Sequence, residues 1–352
     1  MKKMISLMLC IICAFGTVAC GSSSKTGTES VTEQTTSEIK SSDESGNSEE
    51  SEPIKIALSA WNPNVFMNLA QDLGYFEEEG VNVELVDFAE FADVPKAFNA
   101  GQLDGAFFSS FEVIAPASLG MDIKLISVVD NSIGADALLG NGIDSLDGLK
   151  GKKIGVGMDT VSHIFLMLLL EEEGYSLDDF ELVDFSSPSS GATALVSGDV
   201  DGLATFEPFI SSCTGSGEQI NIIADTNKYP TMINDGIAFS ESIINERHED
   251  VVKIMKCFYK AIDYWKENPE EANEMLGSYL DCSAEEFAAT MEKLDMISAE
   301  DAYAQMTEEG TGSWTESMKL MSAFLLERER IEVDVAPSEY VDTSILAEVI
   351  AE

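Results

Sequence analysis

The chain carries one stretch of sequence twice, and this repeat limits its possible folds more than any other feature. Glu84-Leu85-Val86-Asp87-Phe88 returns as Glu181-Leu182-Val183-Asp184-Phe185, 97 residues on. Ala97-Phe98-Asn99-Ala100-Gly101-Gln102-Leu103-Asp104-Gly105 returns at the same spacing as Ala194-Leu195-Val196-Ser197-Gly198-Asp199-Val200-Asp201-Gly202. An earlier pair, Lys55-Ile56 and Lys153-Ile154, is spaced by 98. Strands are predicted at 54–60, 82–88, 105–110 and 122–130, with helices at 65–73, 93–99 and 112–119 between them. The pattern restarts with strands at 152–157, 180–185 and 202–206 and helices at 161–173 and 189–197. Such alternation gives mostly parallel sheets flanked by helices. Unrelated β-α-β units share that pattern but not a common Gly-x-[Leu/Val]-Asp-Gly turn, so the repeat predicts two similar α/β lobes.

Two lobes joined by crossovers enclose a cleft, and in open α/β sheets ligands sit beyond the carboxyl ends of the strands. The repeat selects the loops that meet there. In the first lobe they hold Trp61 and Asn62 after the first strand, and Ser109 and Ser110 after the third. In the second they hold Asp159, Thr160, Ser162 and His163, then Phe206 and Glu207, while Asn131 lies in a crossover on the same side. These are the candidate ligand-binding residues. Thr160 and Ser162 open a helix whose first amides lack intrahelical partners, which suits a ligand oxyanion; capping of that helix by Asp159, Thr160 or Ser162 explains the same residues. Trp61 fits a packed lobe-edge residue or a ligand contact. Glu207 fits a ligand acceptor or a partner for the dipole of the helix that it opens. His163 fits a ligand donor or an ordinary satisfied ring.

Charge narrows the partners. Twenty Lys and Arg against 64 Asp and Glu give a net charge of −44. A field of that sign repels phosphate backbones and excludes nucleic acid as a partner. Arg occurs only at Arg247, Arg328 and Arg330, beyond the second lobe's core strands, and the candidate loops carry no Lys. An anion held there would rest on amides and hydroxyls alone, whereas Glu112, Asp130, Asp136, Asp159 and Glu207 suit a cationic or hydrogen-bond-donating ligand. No nucleophile elbow, P-loop, dinucleotide fingerprint or zinc-protease motif occurs. No catalytic residue, metal or cofactor is therefore expected, and the chain is not expected to be an enzyme.

The amino terminus reads as an address. Met1-Lys2-Lys3 precedes an apolar run over 4–18, which closes on Thr17-Val18-Ala19-Cys20-Gly21. This resembles a bacterial lipoprotein signal, which implies removal of 1–19, lipid on Cys20 and a position on the outer face of the cell membrane. Residues 20–53 are rich in Ser, Thr and Glu and hold too few apolar groups to offset the entropy of ordering, so a tether is expected. The cysteines left in the body, Cys213, Cys257 and Cys282, are odd in number and form no disulfide framework, though one pair is open. The last third shows helical periodicity over 248–266, 270–280, 284–296, 299–308 and 314–328. The expected organisation is a signal peptide (1–19), a lipidated Cys with its tether (20–53), a first lobe (54–138), a second lobe (139–236), and a return to the first lobe with terminal helices (237–352).

One run, Leu73-Gly74-Tyr75-Phe76-Glu77-Glu78-Glu79-Gly80-Val81-Asn82-Val83-Glu84-Leu85, resembles a segment of substrate-binding proteins of ABC importers. Gly134-Ala135-Asp136-Ala137-Leu138, the segment Asp147 to Val156, Val161-Ser162-His163 and Ala204-Thr205-Phe206-Glu207-Pro208-Phe209 fit the nitrate/sulfonate/taurine-binding and thiamine-pyrimidine-precursor-binding family. The resemblance spans about 54–270. It implies a type II, two-lobed periplasmic-binding-protein fold acting as a monomer, which captures a small ligand and delivers it to an ABC permease and its ATPase subunit. Trp61, Ser109, Ser110, Thr160, Ser162 and Glu207 fall on the family's cleft positions. The implied ligand is an aliphatic sulfonate, taurine or nitrate. The alternatives are a thiamine pyrimidine precursor or another neutral or cationic heterocycle, or a surface sensor with the same fold.

Overall fold

Each copy of the repeat folds into the same three-stranded unit, in the same register. The computed structural model describes residues 52–59, 61–88, 93–229, 232–311 and 313–351, so the expected signal peptide, Cys20 and nearly all of the tether lie outside the described residues. Its strands are β1 (Ile54–Ser59), β2 (Val83–Phe88), β3 (Gly105–Ser109), β4 (Lys124–Ser132), β5 (Asp136–Asn141) and β6 (Lys153–Val156). They continue as β7 (Glu181–Asp184), β8 (Gly202–Phe206), β9 (Ile220–Asp225), β10 (Asn234–Phe239) and β11 (Leu294–Met296). β1 runs parallel to β2 and β3, with Lys55 opposite Glu84 and Ile56 opposite Gly105. β6 runs parallel to β7 and β8, with Lys153 opposite Glu181 and Ile154 opposite Gly202.

The shared turn explains the shared register. The Lys55 amide donates to Asp104 Oδ2 at 2.8 Å, and the Lys153 amide donates to Asp201 Oδ2 at 3.1 Å. In return the Asp104 amide donates to the Lys55 carbonyl (2.8 Å) and the Asp201 amide to the Lys153 carbonyl (2.9 Å). One aspartate thus fixes the start of the first strand against the start of the third in both lobes. Gly101 and Gly198 end the preceding helices at φ of 67° and 79°, a left-handed conformation in which a Cβ is strained.

The strands form two separate sheets, ordered β11-β4-β10-β3-β1-β2 and β7-β6-β8-β5-β9. The two-lobed α/β architecture is as expected, but the sheets are mixed rather than mostly parallel. β10 lies antiparallel to β3 and β4, and β5 lies antiparallel to β8 and β9. The reason is the path of the chain. β4 ends in the first sheet and β5 begins in the second; β9 ends in the second and β10 begins in the first. A strand that arrives from the other lobe enters from the carboxyl edge and must run against the β-α-β strands. The two crossings are held together at Thr226, whose Oγ1 lies 2.6 Å from Ser132 Oγ and accepts from the Gly134 amide at 2.8 Å.

Helices cover the sheets with their apolar faces. In the second lobe Val161–Glu172 buries Phe165, Leu166, Leu169 and Leu170, while Pro188–Ser197 and Phe209–Thr214 bury Ala192, Leu195, Ile210 and Cys213. The long helix His248–Glu267 buries Val251, Ile254, Met255, Phe258 and Ile262 at helical spacing against Phe66–Asp72 and Ser344–Val349 of the first lobe. The helix predicted at 284–296 is shorter: Ala284–Met291 is helical, and β11 then pairs antiparallel with β4. Cys213, Cys257 and Cys282 are free thiols. No helix among the described residues is long and apolar enough to cross a membrane.

Candidate functional site

A cavity of about 340 Å³ lies between the two sheets. Its apolar wall comes from Trp61, Phe107, Phe108, Phe185, Phe206 and Phe209. Trp61 from the first lobe meets Phe206 from the second edge-to-face, with centroids 5.8 Å apart and planes at 87°. Phe206 in turn meets Phe209 edge-to-face at 5.6 Å.

Five of the residues singled out from the sequence line this cavity: Trp61, Ser109, Thr160, Ser162 and Phe206. Ser109 ends β3, and its Oγ donates to Asp235 Oδ1 at 2.7 Å. Thr160 precedes Val161–Glu172 but does not cap it with its side chain; its Oγ1 donates to the Gly157 carbonyl at 2.8 Å.

The other six lie elsewhere. Asn62 is buried within the short helix Asn62–Val65, and Asn64 faces the cavity instead. Ser110 is buried behind Ser109, and Asn131 sits in β4 opposite Asn234 and Asp295. The exposed Asp159 side chain pairs with Arg330, whose Nη1 is 2.5 Å from Asp159 Oδ1. His163 is buried; its Nδ1 accepts from the Asp159 amide at 3.2 Å and lies 3.3 Å from Arg330 Nη2. Burial, with Arg330 beside it, pushes the His163 ring below its ordinary value. Glu207 is fully buried, accepts from the Ser211 amide (3.0 Å) and hydroxyl (2.9 Å), and pairs with Lys293. It therefore acts as the first-turn partner of helix Phe209–Thr214.

The polar floor holds two acids, Asp136 and Asp235. They occupy equivalent places in the two lobes. Asp235 of β10 faces Ser109 at the end of β3, and Asp136 of β5 faces Phe206 at the end of β8. Ser109 and Phe206 are 97 residues apart, the spacing of the repeat. Burial pushes Asp136 up to about 7, with Asp235 adding to the rise against a hydrogen bond from Ser132. Burial likewise pushes Asp235 up to about 6, while the hydrogen bond from Ser109 and the nearby Trp61 indole N–H hold it down. The Trp61 indole N–H stops short of a well-formed hydrogen bond. Two further acids, the buried Asp130 and the partly buried Glu112, stand beside this floor. Asp130 Oδ1 accepts from the Asp235 amide at 3.2 Å, and burial, then Asp235, pushes Asp130 well up. Burial pushes Glu112 up to about 8, against a hydrogen bond from the Ser109 amide. Among the described residues that line the cavity there is no Lys, Arg or His, and no group of three or more ligating side chains suits a metal ion.

Residues 62–272, more than half of the chain, match the family described as NMT1/THI5 like. The chain belongs to that family. Among relatives of this NMT1/THI5-like protein, a Bacillus subtilis (strain 168) protein named as an aliphatic sulfonates-binding protein is 28% identical over 222 residues, which cover 60% of this chain and 66% of that one. A Schizosaccharomyces pombe protein named 4-amino-5-hydroxymethyl-2-methylpyrimidine phosphate synthase is 28% identical over 136 residues, 38% of each chain. In fold, the protein is similar to the periplasmic aliphatic sulphonate binding protein of Escherichia coli, with a TM-score of 0.69 at 14% identity, over 84% of this chain and 99% of that one.

Sequence reasoning missed Asp235, Phe185, Phe209 and the serines Ser186, Ser187 and Ser189 at the start of helix Pro188–Ser197 of this NMT1/THI5-like protein. The signal for Asp235 was a lone acid ahead of the apolar run Gly236-Ile237-Ala238-Phe239. β5 and β10 exchange between lobes, so a linear repeat does not align them.

Proposed function

We propose that this chain is an extracytoplasmic solute receptor of an ABC importer, which closes its two lobes over a small organic ligand and presents it to a permease and its ATPase subunit. The relatives named as binding proteins and the two-lobed fold support this reading, as does a ligand-sized cavity where the lobes meet. In this reading the protein acts as a monomer held to the outer face of the membrane by lipid on Cys20, and no bond of the ligand is broken.

For the ligand, the observation that carries most weight is the cavity's lining: two carboxyls, one buried and one partly buried, six aromatic rings and, among described residues, no cation. This favours a neutral or cationic heterocycle over a simple oxyanion. The aliphatic sulfonate, taurine or nitrate reading retains one observation in its favour. The start of helix Val161–Glu172 faces the cavity through Thr160, Val161 and Ser162 and has no side-chain cap. A thermal-shift screen against nitrate, taurine, alkanesulfonates and pyrimidine precursors separates these classes. A ligand at 100 times its dissociation constant stabilises by about 2.7 kcal/mol. Stimulation of the cognate permease's ATPase by the loaded protein would establish import, and chemical turnover of the bound compound would overturn the receptor reading.

A further inference from the structure

We infer that Asp235 and Asp136 together form a seat for a cationic nitrogen, so that the cavity selects organic cations with a flat or apolar body. The inference rests on the cavity being the ligand site of the receptor proposed above, and it adds the charge of the ligand and the atoms that read it.

Three observations converge. The first is the acids' location: both carboxyls line the cavity, one from each crossing strand, at the equivalent positions opposite Phe206 and Ser109. A group bound between them would touch both lobes. The second is an inventory of unmet hydrogen-bonding capacity. Asn64 donates through Nδ2 to Ser59 Oγ at 2.9 Å, and its buried Oδ1 has no partner. Thr205 is 2% exposed, lines the cavity, and its Oγ1 has no partner. Asn64 Oδ1 can only accept, as can the two carboxyls once they ionise, and the Thr205 hydroxyl both donates and accepts. The Trp61 indole N–H leans toward Asp235, so acceptors outnumber donors at this end and suit a donor-rich ligand. The third is the wall. Trp61, Phe107, Phe108 and Phe206 line the cavity with aromatic rings, against which a cation is attracted.

The charged groups around the seat do not neutralise it. Asp130 on β4 and Glu112 after β3 are acids, and Asp295 on β11 adds to the field at Asp130. Lys293 is engaged by Glu207, and Arg330 by Asp159. Asp130 and Asp136 are buried and Glu112 and Asp235 partly buried, and with no base beside them such acids favour holding their protons. A bound cation would supply the missing charge, and affinity should rise as the acids ionise.

The test uses three ring compounds of nearly one shape: benzamidinium, benzamide and benzoate. Binding to the full chain is measured by calorimetry and thermal shift at about pH 5, 6.5 and 8, where benzamidinium stays protonated. Benzamidinium should bind at least about tenfold more tightly than benzamide at pH 8, the contribution of one charge-assisted hydrogen bond. That preference should shrink toward pH 5 and vanish in Asp235→Asn. Asp136→Asn, measured beside it, guards against a folding defect in one variant. Equal binding of benzamide, tighter binding of benzoate, or no binding of benzamidinium at about 10 mM would overturn the cation seat. Preference for benzoate would still leave the receptor reading standing, whereas turnover of any probe would sink that reading instead.

Discussion

Arg330, on the C-terminal segment, holds Asp159 on the loop that begins the second lobe's cavity-lining helix, with Nη1 2.5 Å from Oδ1. Asp159 adopts a φ of 62°, an uncommon conformation for a residue with a side chain, and Thr160 and Ser162 follow it into the cavity wall. Arg330 also faces His163 Nδ1, so one guanidinium supports both the loop and the first turn of the helix. Arg328 makes a second tie to the same helix through Glu171.

Arg330→Ala should therefore weaken ligand binding although Arg330 does not line the cavity. The pair is partly exposed, so its contribution is at most about 1 kcal/mol, or about fivefold in affinity. The change should appear as faster dissociation in stopped-flow traces, with Arg330→Lys recovering part of it. An unchanged dissociation rate would show that the clasp is ornamental.

The Trp61–Phe206 contact joins the lobes directly. Phe206→Ala should loosen ligand binding by the worth of an aromatic pair, about 0.5–1.5 kcal/mol, beyond any lost apolar area. Trp61 emission should respond to saturating ligand, and Trp61→Phe should remove most of the response, since the other Trp residues, Trp265 and Trp314, lie outside the cavity.

The buried acids set the pH dependence of the unliganded protein. Asp235, Asp136 and Glu112 keep their protons up to about 6, 7 and 8 when folded and lose them sooner when unfolded. The native state thus binds more protons than the unfolded state across that window, and stability falls as pH rises from about 5 to 8. His163, pushed down by burial, acts in the opposite direction, one group against four once Asp130, also pushed well up, is counted. Denaturant midpoints should decline toward pH 8, and Asp136→Asn should flatten the slope between about pH 6 and 8. A rising midpoint would refute the assignment.

Glu207→Ala should destabilise the fold by about 2–4 kcal/mol, because it leaves Lys293 and the Ser211 amide without their buried partner. Below the melting transition, ligand affinity should be unchanged. A large loss of affinity in the folded variant would return Glu207 to the ligand site.

The sequence made the β-α-β strands legible because their repeat is linear. Lys55/Lys153 and Asp104/Asp201 keep the same spacing in the chain and the same hydrogen bonds in the fold. The loops after those strands were legible for the same reason, which brought Trp61, Ser109, Thr160 and Phe206 to one cavity. The exchanged strands were not. Asp235 belongs structurally with the end of β3 yet lies 126 residues beyond Ser109 in the chain. Asn62 and Asn64 could not be told apart without the short helix that turns one inward. Arg330 stands far along the chain from Asp159, and no local pattern ties them.

Thr226 has a mechanical consequence. Its single hydroxyl serves Ser132 on one crossing and the Gly134 and Asp136 amides at the start of the next strand, while it sits on the other crossing itself. The two connecting ribbons are tied there and by the Ser132 amide to the Ile233 carbonyl (2.9 Å) and the Thr226 amide to the Asp136 carbonyl (3.0 Å). Sliding one ribbon past the other would break these bonds together, whereas a hinge-like swing of the halves would keep them. Opening should thus follow a single arc, with Asp136 close to the axis and travelling least.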